Sequence, residues 1–225
     1  MFEVILDTET TGLSFNSDKI IEIACIELKN QIPTKNKFHT FINPEMDISD
    51  GAYQTHGITR QFLRDKPTFK DIAKDFLNFI KDSKLIIHNA DFDLAFLNKE
   101  LQNCDLEPLS KDRVVDTLFL ARQKFPGAQA SLDALCKRFK IDTSAREKHS
   151  AIVDCNLLTE VYIELLDKKE PWLDLQETKE TIDEKNAPRK INKNRKQIIL
   201  KATEEEIRLH QEFLKSDVPK SFMLK

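Results

Sequence analysis

An α/β fold is what the chain predicts, and the order of its apolar patterns carries that prediction. Three β-prone runs succeed one another between Phe2 and Asn43 with no helical pattern among them. Helical periodicity sets in at Pro67, and from there amphipathic segments alternate with short apolar runs fit for fully buried strands. At 225 residues, 40% of them hydrophobic and 32% charged, the chain can build one sizeable core and still leave length for a tail or a small second unit.

The first run, from Phe2, contains Asp7-Thr8-Glu9-Thr10-Thr11-Gly12. Alternate side chains of a strand share a face, so Asp7 and Glu9 point the same way. Two like charges held that close need a cation or a shared proton to offset their repulsion. A solvated turn is the bland reading of the same residues. Gly12 ends the strand and permits a tight turn or a close approach of backbone to ligand. Lys19–Leu28 and Lys37–Asn43 follow as strands, which suggests an antiparallel meander, and a polar loop holding Thr55-His56-Gly57-Ile58 comes next. His56 reads either as a ligand contact or as a solvated loop histidine.

Thr68 and Asp71 form an approximate capping box for a helix whose inward face is Phe69, Ile72, Phe76, Phe79 and Ile80. Leu85-Ile86-Ile87 is a buried strand ending at His88-Asn89, and a second helix begins near Ala90. On it Asp93 shares a stripe with Leu97, Leu101 and Cys104, and an acid on an inward stripe needs a partner. Asp91 reads as a helix-start residue satisfying free backbone amides, and Asp116, at the end of the strand Arg113–Thr117, as the cap of the next helix. Ser131 opens a helix to about Phe139. After Arg146-Glu147-Lys148-His149-Ser150, a long helix carries Asp154, Leu158, Val161 and Leu165 on one face. His149 can reach Asp154 only from the preceding loop or the very start of that helix. No Lys or Arg lies one helical turn from Asp154 on its stripe.

Residues 167–200 read as a charged linker, acidic first and basic from Lys185 to Lys196, with Trp172 as a docking candidate or a residue packed back on the domain. Thr203-Glu204-Glu205-Glu206-Ile207 opens a last helix too short for its own core. The formal net charge of −3 gives no global attraction to nucleic acid, which leaves that task to local basic patches and metal ions. Cys25, Cys104, Cys136 and Cys155 contain no Cys-x-x-Cys pair and read as reduced core residues of a cytoplasmic protein. The acidic amino-terminal residues do not suit a signal peptide, and no span approaches a membrane helix.

Asp7, Glu9, Asp93 and Asp154, with His149 nearby, form a set that would bind two hard divalent cations about 3.5–4 Å apart, as in enzymes that displace phosphodiester oxygens in line. Carboxylates without thiols favour magnesium or manganese over zinc. Asp7-Thr8-Glu9, then Asn89-Ala90-Asp91-Phe92-Asp93, then His149-Ser150-Ala151-Ile152-Val153-Asp154 resemble the three motifs of the DnaQ-like, DEDDh class of 3′-to-5′ exonucleases. Lys19–Ile23, His56–Ile58, Asp65–Phe69, Ser131–Cys136, Glu160–Tyr162 and the tail Ala202–Ile207 with His210 are similar to the proofreading subunits of bacterial replicative polymerases.

The resemblance implies a ribonuclease-H-like mixed sheet flanked by helices, in agreement with the element order. It also implies roles. Asp7 would ligate both metals, Glu9 and Asp154 complete the site of one, Asp93 supports the other, and His149 acts as general base. Thr10, Gly12, Leu13 and His56 would contact the terminal nucleotide of a single-stranded or frayed DNA 3′ end. Residues 1–166 would be the exonuclease domain, and residues 201–225 would dock on the polymerase catalytic (alpha) subunit, with a sliding clamp and a small accessory subunit as further partners. Two rival readings are an exoribonuclease trimming RNA 3′ ends and a catalytically inert subunit that stabilises a polymerase. No membrane is expected among the partners.

Overall fold

A computed structural model describes residues 2–144, 146, 148–166 and 203–217. Strands β1 (Phe2–Thr10), β2 (Ile20–Lys29) and β3 (Ile32–Phe41) form the expected meander, each pair antiparallel. Strands β4 (Lys84–Ile87) and β5 (Val114–Asp116) add in parallel on the other side of β1, giving one five-stranded sheet in the order β3-β2-β1-β4-β5. The sheet is mixed, and β1 lies at its centre.

The alternation of β1 divides the core between two faces. Val4 and Leu6 face one side and pack with Phe69, Ile72, Phe76 and Ile80 of α3 (Phe69–Ile80) and Leu94, Leu97 and Leu101 of α4 (Ala90–Asn103). Ile5 faces the other side and packs on Ala151, Cys155, Leu158 and Tyr162 of α7 (Ala151–Leu165). Behind α7, α5 (Thr117–Lys124) and α6 (Leu132–Phe139) close a further apolar cluster. The four cysteines are free thiols, three of them buried, so they serve as core residues.

Capping residues end the helices where the sequence predicts. Thr68 and Asp71 make the reciprocal box, Asp116 accepts the Leu118 amide at 2.8 Å, and Ser131 accepts that of Ala134 at 3.3 Å. Asp91 departs from expectation: it stands in the first turn of α4 but pairs with Lys111 on the surface, 2.6 Å away. The polar loop expected around His56 is helical. Ser49 caps α1 (Asp50–His56), Gly57 ends it in the left-handed conformation at φ 70°, and Thr59 caps the short α2 (Arg60–Leu63). Patterning over such short, half-exposed helices is too weak to show, and the cap residues alone carry the signal. As a result His56 is buried, not solvated.

The carboxyl-terminal helix α8 (Glu204–Asp217) is described by itself. Thr203 and Glu206 bond reciprocally at its start, and Ile207 and Leu209 are exposed. The expected linker, with Trp172 and the basic stretch, lies outside the described residues. Among the described residues no helix is long and apolar enough to cross a membrane.

Phe76 is fully buried between α3 and the sheet. Phe76→Ala should lower unfolding free energy by about 3–5 kcal/mol in urea titration, since the cavity only partly collapses. A loss below about 1 kcal/mol would show that this face does not anchor the fold.

Candidate active site

Strand β1 delivers Asp7 and Glu9 to its carboxyl end on the face turned to α7, beside Ile5. From that helix Asp154, 5% exposed, approaches them. Asp93 arrives from α4 on the opposite face and accepts a hydrogen bond from the Thr8 hydroxyl at 2.7 Å. That hydroxyl is the partner that the inward stripe demanded. The four acids thus converge at the end of the central strand. There Asp7, Asp93, Asp154, His149 and Arg146 line a cleft of about 670 Å³.

His149 sits on the loop just before the α7 cap residue Ser150, as its five-residue distance from Asp154 required. Its Nδ1 lies 3.2 Å from Asp154 Oδ2. The loop is fixed to α1 by the His149 amide on the Thr55 carbonyl, 3.3 Å, and by the Lys148 ammonium over the Tyr53 ring. Glu22 fixes the helix. This fully buried carboxylate of β2 accepts the Ala151 amide at 3.2 Å and the Ser150 hydroxyl at 3.0 Å, and it meets His39 Nε2 at 2.7 Å. A carboxylate at a helix amino terminus answers both the free amides and the dipole, so Glu22 sets where Asp154 stands. At the far end of α7 the Tyr162 hydroxyl donates to Glu3 of β1 at 2.8 Å.

The acids are electrostatically unfavourable as they stand. Burial, then the charges of Asp93 and Asp154, push Asp7 well above the usual carboxylate range. Burial and the charges of Asp154 and Glu22 raise Glu9 to about 8. Burial raises Asp93 to about 7 against the Thr8 hydrogen bond that lowers it. Asp154 Oδ1 is buried without a hydrogen-bond donor. Ligand atoms of Glu9, His149 and Asp154 lie within 4.8 Å of one another. An all-oxygen-and-imidazole set with a carboxylate oxygen that no hydrogen-bond donor satisfies fits a hard divalent cation.

A second recess of about 400 Å³ adjoins the cleft and gathers Thr10, Gly12, Leu13 and His56 with Glu9 and Phe92. A Cβ on Gly12 would come within 2.6 Å of the Asp18 carboxylate, so the close approach that requires this glycine is to Asp18. The Ile58 amide donates to His56 Nδ1 at 2.9 Å, which places the imidazole proton on Nε2, buried and without a partner.

Sequence reading missed two residues of the site. Arg146 is one: its Nη2 donates to Asp154 Oδ2 at 2.7 Å, a cationic partner that the helical stripe could not show because it comes from a loop eight residues earlier. Glu22 is the other, and its register opposite Glu9 was the available signal.

This geometry is that of a nuclease, and the chain belongs to the exonuclease family, whose model it matches over residues 4–162. It is 47% identical over 221 residues to the DNA polymerase III subunit epsilon of Rickettsia felis, with 95% of this chain and 96% of that protein covered. To the protein of that name from Buchnera aphidicola subsp. Schizaphis graminum it is 42% identical, with 94% and 95% covered. Among solved structures, exonuclease X in complex with 5′ overhanging duplex DNA matches with a TM-score of 0.59 at 27% identity, over 74% of this chain and 92% of that one. The nuclease domain of 3′hExo, a DEDDh family member bound to rAMP, matches with a TM-score of 0.64 at 19% identity, over 75% and 92%, which shows the shared fold. The relatives place the chain with the DNA polymerase III epsilon subunits: it is a 3′-to-5′ exonuclease of the proofreading kind, on a ribonuclease-H-like fold that uses divalent metal.

Because Glu9 and Asp93 hold protons in the folded state that the unfolded chain releases above its ordinary carboxylate pKa, they favour the fold at low pH and cease to do so as pH rises through about 7 and 8. In chelator the melting temperature should therefore fall from about pH 5 to about pH 8, and saturating magnesium should reduce that fall. A melting temperature flat across this range in chelator would contradict the repulsion described.

Proposed function

We propose that this chain removes mismatched nucleotides from DNA 3′ ends by two-metal hydrolysis, as the proofreading subunit of a replicative polymerase. The observation that carries this reading is the meeting of Asp7, Glu9, Asp93, Asp154 and His149 at one end of β1, beside a recess lined by Thr10, Gly12, Leu13 and His56. Asp7 faces both groups of acids and would bridge two ions, magnesium or manganese. Glu9 and Asp154 would complete one ion site and Asp93 the other. When bound, the ions supply Lewis-acid stabilisation of the charge developing on the phosphate and the departing 3′ oxygen.

His149 takes a proton from the attacking water as its oxygen bonds to phosphorus and the bond to the 3′ oxygen breaks. Thr10, Gly12 and Leu13 line the wall against which the terminal nucleotide rests, and His56 offers its Nε2–H as a donor. A frayed end has already lost its pairing, so it reaches the recess at lower cost than a paired one. In this reading residues 1–166 are the exonuclease domain, 167–200 a charged linker, and 201–225 the segment that docks on the polymerase alpha subunit in the cytoplasm. The exposed Ile207 and Leu209 of α8 offer an apolar contact for that docking. A sliding clamp and a small accessory subunit are further partners that the resemblance implies.

Magnesium-dependent digestion of a primer-template with a terminal mismatch tests the reading, with a matching RNA strand beside it. Asp7→Ala should lower turnover at least about a hundredfold and His149→Gln about 10²–10⁴-fold, both without loss of the fold by circular dichroism. Preference for the RNA strand would support a trimming exoribonuclease instead. No digestion by the natural protein would leave the inert polymerase-stabilising subunit.

A further inference from the structure

Arg146 makes contacts that the proposed hydrolysis does not use and that its proposed ligands cannot keep. Its side chain is 8% exposed, and the Asp154 side chain 7%. Nη2 donates to Asp154 Oδ2 at 2.7 Å and lies 2.7 Å from His149 Nδ1. Nε lies 2.6 Å from Asp154 Oδ1, off the hydrogen-bond direction, so that Nε–H and Oδ1 are both left without a hydrogen-bond partner. Nη1 pairs with Asp133, a largely exposed carboxylate in the first turn of α6.

A guanidinium only donates, so the 2.7 Å contact with Nη2, shorter than the 3.2 Å to Asp154 Oδ2, engages the lone pair of His149 Nδ1 and favours the tautomer with the ring proton on Nε2. In that tautomer neither ring nitrogen has a free lone pair for a proton of water. Meanwhile one cation touches both oxygens of Asp154. The guanidinium thus holds the same groups that a divalent ion and a general base require.

We propose that Arg146 is a positioning residue that acts as an internal counter-cation: it neutralises Asp154 and holds His149 inactive, and a divalent ion arms the site by displacing it. This rests on the reading of Asp154 as a metal ligand. The exchange is feasible because the latch is imperfect. One of its two contacts to Asp154 lacks hydrogen-bond alignment, and Asp133 keeps a hold on the arginine outside the acid cluster. The cost of leaving Asp154 buried and unpaired is thereby avoided before the ion arrives.

Two measurements on the whole chain test this. Calorimetric titration with manganese, without nucleic acid, should show Arg146→Gln binding about tenfold more tightly than the natural protein, the competing cation being gone. Arg146→Lys should also bind several-fold more tightly, since an ammonium keeps the charge but not the fork that reaches Asp154 and His149 together. Equal affinity for the lysine variant and the natural protein would mean that only the local field matters, and would overturn the exchange. The second measurement needs no variant: the guanidinium ¹⁵N–¹H signals of Arg146 and the ring nitrogens of His149 should shift together on saturation with magnesium. Signals unchanged at saturation would overturn the proposal while leaving the metal reading intact. No binding of either ion by the natural protein would remove the metal reading itself and the proposal with it.

Discussion

The packing of like charges at the carboxyl end of β1 is the constraint to which the rest of the molecule answers. Carboxylates from one strand and two helices meet in a space where burial already disfavours ionisation, and the neighbouring acids raise the cost further for Asp7 and Glu9. A fold tolerates such a cluster only if every supporting element is held firmly, because relaxation would separate the charges. Hence β1 is central and paired on both sides, and it is flanked by an apolar cluster on each face. The α7 helix is anchored at its start by Glu22 and toward its end through Tyr162 and Glu3. The stability of the core offsets the repulsion at the site.

The two faces of the sheet contribute differently. Asp93, on the α4 face, is tied to a neutral hydroxyl of the strand, which orients it without supplying a counter-charge. Asp154, on the α7 face, meets a full cation from a loop. One acid is therefore fixed by the scaffold and the other by a side chain from the loop that also bears His149. The attachment of that loop to α1 through Thr55 and Tyr53 links it to the recess where His56 lies. The recess and the cleft thus share one short segment of backbone.

Much of this was legible in the sequence because periodic elements carry their own signal. The meander, the α3 capping box, the inward acids on α4 and α7 and the cap at Asp116 all follow from spacing, and the structure agrees with each. The failures fall where no period operates. The short helices α1 and α2 were hidden in polar composition, so the burial of His56 was missed. Arg146 belongs to a loop, where the distance along the chain to Asp154 gives no orientation. Glu22 looked like one polar residue in an apolar strand, and only the strand register, which sets it opposite Glu9, gives it a task at α7.

Charge explains why such a nuclease would act from within a larger assembly. With a formal net charge of −3, the chain has little long-range attraction for a polyanion. Free in solution it would engage DNA ends weakly. In the proposed reading, docking on a polymerase through residues 201–225 would instead hold the nuclease near the primer end at an effective concentration on the order of millimolar. Weak intrinsic binding then becomes useful. A paired end would stay with the polymerase, a frayed end would cross to the recess, and the choice between them would be set by the loss of pairing and not by any base that the nuclease reads.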